Sequence, residues 1–143
     1  ARLQVEYDLV SSSNSYAGCL SGLANAGADG LKTTVTFSTS AAILCSGDSA
    51  TFSGTLSVQD LSSYGLLGGN LLGGRLVEVE RAPHGSTNFV AYTSDTTDSL
   101  GRWSRTVSTL AATDYDYRAH FDAEIGLNSD NSTAVRVQWL NPC

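Results

Sequence analysis

Two stretches, Arg75–Arg81 (RLVEVER) and Tyr115–Phe121 (YDYRAHF), decide the fold. In the first, Val77 and Val79 take one face, while Leu76, Glu78 and Glu80 take the other. In the second, Tyr115, Tyr117, Ala119 and Phe121 alternate with Asp116, Arg118 and His120. Successive side chains of a strand point to opposite faces, so a period of two marks a strand with one buried side. Working outward, the same pattern predicts strands at Leu31–Ser38, Ala50–Gln59, Asn88–Thr93, Arg102–Leu110 and Ser132–Trp139. Ser40–Asp48 reads as a turn region, and no segment reads as a helix. Seven short strands separated by turn signals predict an all-β chain, a two-sheet antiparallel sandwich of immunoglobulin-like type spanning residues 31–143.

Ahead of that sandwich stands ARLQVEYDLV, Ala1–Val10, with Leu3, Val5, Tyr7 and Leu9 on one face and Arg2, Gln4, Glu6 and Asp8 on the other. It is an extra amphipathic strand in need of a sheet. Residues 11–30, rich in Ser, Gly and Ala, read as a linker or a partly packed loop long enough to let that strand leave its own domain. The strand either folds back on its own sheet edge or is donated to a neighbour. A second irregular stretch, Leu61–Gly74, contains LLGG twice; its leucines either cap one end of the sandwich or form a surface for a neighbour.

At 143 residues the chain can bury a core without help from disulfides. Only 15% of residues are charged, the net charge is −6, and Lys32 is the single lysine. Nucleic acid and anionic membrane surfaces are therefore not expected as partners, because both need a basic footprint. No apolar run is long enough to span a bilayer. The sequence contains no methionine, so Ala1 is not a translation start, and a small first residue is expected of a mature exported chain.

Several motifs resemble those of immunoglobulin-like repeat domains in bacterial and archaeal surface proteins. They are Ser53-Gly54-Thr55-Leu56, the run from Gly74 to Arg81, Thr97-Asp98-Ser99-Leu100-Gly101-Arg102-Trp103, Tyr117-Arg118-Ala119-His120-Phe121, and Ser132-Thr133-Ala134-Val135-Arg136-Val137. The resemblance covers about two thirds of the chain, from about residue 50 onwards, and departs at the LLGGNLLGG insertion and over residues 1–30. It implies a sandwich fold, an extracellular or cell-surface location, and a structural or adhesive role with no catalytic residue. Asp98–Gly101 is expected to form a tight hairpin turn, Trp103 to point between the sheets, and Tyr115 or Tyr117 to brace a corner through its hydroxyl.

The three cysteines lack zinc-site spacing, and one disulfide with one odd cysteine is expected. In such a sandwich the last strand runs parallel to the first, which makes Cys45–Cys143 a natural bridge; Cys19–Cys45 is the alternative. Asn131-Ser132-Thr133 is an N-glycosylation sequon. His84 lies in a Pro-His-Gly turn and His120 on the solvent face of its strand, and no nucleophile elbow, phosphate loop or metal-histidine pair is present, so no enzyme activity is expected. No cofactor or metal is required. Acidic residues crowd the last third of the chain, and either form a solvated face or hold calcium, for which Asp122, Glu124 and Asp130 are the candidates.

Two functions fit. One is a non-catalytic subunit of an extracellular pilus-like filament, built by head-to-tail donation of the first strand to another copy. The other is a monomeric module of a surface protein that adheres to a partner or binds surface glycans.

Overall fold

The computed structural model describes residues 30–59 and 71–143. Of these, 30–32 and 123–128 form a small unit, and 33–59, 71–122 and 129–143 form the main one. In the small unit, Glu124 and Leu127 exchange two main-chain hydrogen bonds of 3.0 Å around Gly126, and Leu31 is hydrogen-bonded to Gly126 and Asn128. Leu31 and Lys32 therefore do not begin the first strand of the sandwich, as the sequence led us to expect.

The main unit consists of strands β1 (Thr33–Val35), β2 (Ser38–Thr39), β3 (Ile43–Cys45), β4 (Ser49–Val58), β5 (Leu76–Pro83), β6 (Val90–Thr96), β7 (Arg102–Ser108), β8 (Thr113–Phe121), β9 (Asp130–Asn131) and β10 (Val135–Leu140), with no helix among the described residues. They form two sheets. In the first, β4 is central, flanked by β1 and β2 on one edge and β7 on the other. The second runs β3-β10-β8-β5-β6, with β9 continuing the β10 side of β8. The expected all-β sandwich is the fold.

The core is built by the predicted alternation. Phe52, Leu56 and Val58 of β4, Val77 and Val79 of β5, Tyr117, Ala119 and Phe121 of β8, and Val137 and Trp139 of β10 are all buried. Burying a side chain of this size contributes roughly 1.5–3 kcal/mol. Aromatic rings carry contact from one sheet to the other, from Phe37 to Phe52 at 5.0 Å and from Phe52 to Tyr117 at 4.9 Å. Burial pushes the Tyr117 phenol above its ordinary pKa, and a hydrogen bond with Arg81 offsets part of that rise. Arg81 itself is stacked between Tyr92 and Tyr115, at 4.1 and 4.2 Å from the ring centres.

Two motifs interlock across the first sheet. Gly54 stands opposite Trp103 in the β4–β7 register. The Trp103 indole nitrogen donates to the Thr36 carbonyl at 3.2 Å, between β1 and β2. A Cβ at Gly54 would lie 2.0 Å from that oxygen and 2.7 Å from the indole nitrogen. Glycine is needed there for clearance. Trp103 points between the sheets, as expected, and is buried.

The turn region expected at Ser40–Asp48 contains a strand. β3 pairs in parallel with β10, Leu140 standing opposite Cys45. That pairing brings Cys45 and Cys143 to a Cα separation of 5.3 Å, and they form the disulfide. The Cys19–Cys45 alternative is thereby overturned, since Cys45 is already bonded. Thr97–Gly101 also differs from expectation. Asp98 N–H donates to the Arg102 carbonyl and Gly101 N–H donates to the Asp98 carbonyl, both at 2.9 Å, so the turn is tight. It is not a hairpin, because β6 pairs with β5 in one sheet while β7 pairs with β4 in the other. The second LLGG runs beside this turn. Leu72 donates its N–H to Leu56 at 3.0 Å and accepts from the Thr97 hydroxyl at 2.7 Å. Leu71–Gly74 therefore caps this end of the sandwich; the first LLGG lies outside the described residues.

Gly54→Ala tests the interlock. Over-packing of this kind costs about 1–3 kcal/mol, so urea unfolding should show a loss of that size, with weakened near-ultraviolet dichroism from Trp103. A neutral Gly54→Ala would show that the close approach of Thr36 and Trp103 does not matter.

Candidate functional site

Among the described residues, β7 has a neighbour on one side only. Its main-chain groups alternate in direction. The N–H of Arg102 turns outward to Asp98 Oδ1 at 2.9 Å, and that of Ser104 turns outward to Asp95 Oδ2 at 2.8 Å. By the same alternation the main-chain groups of Thr106 and Ser108 face outward, with no strand beside them. Asp98 also accepts the Leu100 N–H and the Arg102 Nε, both at 2.9 Å. The Arg102 main-chain bond, helped by the other two, holds its carboxyl below the ordinary aspartate pKa.

The inner face of this edge is covered only in part. Trp103, Arg105 and Val107 share that face by alternation. Trp103 is buried, Val107 is half-buried and Arg105 is exposed. A groove of about 540 Å³ opens at the Arg102 end, lined by Ser53, Thr55, Asp95, Asp98, Arg102 and Trp103. The other long edge strand, β6, is built differently: its pairing with β5 shifts register between Val79 and Glu80, which leaves a bulge at Tyr92. Bulges discourage further strand addition.

A second cluster lies on the outer face of the six-stranded sheet. Glu78 stands opposite His120, and Glu80 opposite Arg118. One ligand atom each from Glu78, Glu80 and His120 falls within 4.8 Å of the others. However, Glu80 is already paired with Arg118 at 2.9 Å. His120 Nδ1 lies 2.5 Å from Asn131 Oδ1, and its Nε2 lies 2.6 Å from Asp122 Oδ1. Both ring nitrogens thus face oxygen acceptors, an arrangement that suits a protonated imidazolium better than a metal ligand. Burial opposes the charge, but the bonds to Asn131 and Asp122 outweigh it, and the His120 pKa is raised.

The other expected site residues fall as follows. Leu3, Val5, Tyr7, Leu9 and Cys19 lie outside the described residues. His84 is partly exposed and bonded to Asp116 at 2.7 Å. His120 does lie on the outer face, but it is half-buried under its partners rather than free in solvent. Of the calcium candidates, Asp122 is held by His120 and Asp130 accepts the Val35 N–H at 2.9 Å; Glu124 belongs to the small unit. Asn131 is exposed and sits in β9. Asp95 was not legible as an edge-capping residue, because its partner Ser104 lies on the next strand, across the turn. Asp98 carried a signal, the Asp-x-x-Gly of a tight turn.

Compared with protein-family models and with curated proteins, the chain matches none. No helix among the described residues is long and apolar enough to cross a membrane.

The His120 cluster makes a pH prediction. A histidine whose pKa is higher in the folded chain contributes stability that is full below its unfolded value, near 6.5, and that fades as pH rises through the folded value. A nuclear magnetic resonance titration should place His120 above an ordinary histidine, and Asp122→Asn should lower it. An unshifted titration, or no response to Asp122→Asn, would contradict the arrangement.

Proposed function

We propose that this chain is a non-catalytic subunit of an extracellular pilus-like filament, in which residues 1–10 of one copy complete a sheet of another. One observation carries this reading: the β7 edge of the main unit has no partner strand among the described residues. Ala1–Val10, with its alternating Leu3, Val5, Tyr7 and Leu9, is the segment in need of an edge. An exposed strand edge and a spare amphipathic strand are both aggregation hazards unless they are joined. Head-to-tail joining that does not close into a ring gives a fibre. The Cys45–Cys143 disulfide fits an oxidising compartment. Each histidine is bonded to a carboxylate and neither to a hydroxyl or thiol among the described residues, which supports a role without nucleophilic chemistry. The resemblance to surface-protein repeats points the same way.

A second reading, a monomeric adhesion or glycan-binding module, draws support from the groove that Asp95, Asp98 and Arg102 help to line. Removal of residues 1–10 separates the two. A filament subunit should then stay monomeric by light scattering and electron microscopy, with its sandwich still folded by circular dichroism. Filaments formed without residues 1–10, or no assembly by the complete chain at any concentration, would refute the filament reading.

A further inference from the structure

We infer that the acceptor in such a filament is the outer edge of β7 over Ser104–Ser108, and that its occupant is Ala1–Val10 of a second copy; this rests on the filament reading above. The edge strands differ in what they offer. β1, β2 and β3 are each at most three residues long, and β6 is interrupted by its bulge. β7 is a regular strand of seven residues, paired with β4 along its whole length without a register shift.

Asp98 and Asp95 already satisfy the outward N–H groups of Arg102 and Ser104. They set one limit of the acceptor, since a new strand would have to displace a carboxylate to pair there. Past Ser104 no such cap is present among the described residues, and the outward groups of Thr106 and Ser108 are the ones a donated strand can use. The two faces also match. On the inner side, Leu3, Val5, Tyr7 and Leu9 would cover half-buried Val107 and the margin that leaves Arg105 exposed. On the outer side, Arg2, Gln4, Glu6 and Asp8 would extend a surface of hydroxyls, where Thr106 meets Thr51 at 3.1 Å.

The occupant is assigned to a second copy because of where the chain enters. β1 and β7 lie on opposite edges of β4, so the chain leading into Thr33 arrives on the edge away from its own β7. The stretch between Val10 and Thr33 can span on the order of 70 Å when extended, at about 3.3 Å per residue. That exceeds the length of β4, roughly 33 Å for its ten residues at a comparable rise. A neighbouring copy is within reach.

Thr106→Pro is the test. Its N–H points away from β4, so proline removes a donor to the incoming strand while leaving the β4–β7 ladder intact. The variant should keep its circular dichroism spectrum and lose assembly, while Thr106→Ala should assemble. If removal of residues 1–10 abolishes assembly but Thr106→Pro still assembles, the edge is misassigned while strand donation stands. If the truncated chain assembles, donation itself fails. Should Thr106→Pro not fold, cysteine pairing decides. Copies carrying Gln4→Cys, Glu6→Cys or Asp8→Cys are mixed with copies carrying Thr106→Cys and oxidised. A covalent dimer from at least one mixture supports the site. No dimer from any mixture, or crosslinking only when both cysteines share a chain, overturns it.

Discussion

The constraint on which this structure turns is the passage of the chain from β6 in one sheet to β7 in the other through residues 97–101. Asp98 makes so short a crossing feasible. Its main chain closes on Arg102, its carboxylate takes the Leu100 and Arg102 N–H groups, and Gly101 accepts the left-handed conformation at φ 71° that ends the turn. Leu56 N–H donates to the Gly101 carbonyl at 2.8 Å, and Gly74 N–H donates to the Thr97 carbonyl at 2.9 Å, which ties the crossing to β4 and to the capping segment Leu71–Gly74. A longer connection would have had room for another strand beside β7. This one has none, and among the described residues the edge is left bare.

The rest of the sandwich keeps that edge in place. Trp103, directly after the crossing, is fixed by Thr36 over the bare Cα of Gly54, so β7 cannot slide along β4 without losing the indole's hydrogen bond. The aromatic contacts from Phe52 to Tyr117 join the two sheets behind it. At the far end, β3 and the Cys45–Cys143 disulfide hold β10 in register. Cross-linking residues 98 apart in sequence stabilises chiefly by restricting the unfolded chain. These contacts fix the position of β7, whose outer edge has no partner strand among the described residues.

Much of this was legible from alternation. The runs Tyr115–Phe121, Arg75–Arg81 and Ala50–Gln59 mark strands whose buried faces are the ones their apolar residues indicate, because a half-buried strand must alternate whatever its neighbours. β3 was not legible: Ile43-Leu44-Cys45 is too short to show a period, and its strand character comes from parallel pairing with a segment almost a hundred residues away. β9 was not legible either, since Asp130 and Asn131 have no strand propensity and pair only because β8 runs past them. The turn at Asp98 was recognisable, but whether its flanking strands pair with each other or part to different sheets is a tertiary choice. At the site, the apolar ribbon Leu3–Leu9 was plain in the sequence. The edge it would join was not, because an edge is defined by a missing neighbour, and Arg105 reads locally as an ordinary exposed residue.

The central claim is that the outward main-chain groups of β7 are taken by another copy. Amide hydrogen exchange at Thr106 and Ser108 measures this directly. In the assembled protein both amides should exchange slowly, and in the chain lacking residues 1–10 both should exchange at nearly the rate of free peptide, while Trp103 and Arg105, bonded to β4, stay protected in both. Equal and rapid exchange of Thr106 and Ser108 in the two forms would contradict the account.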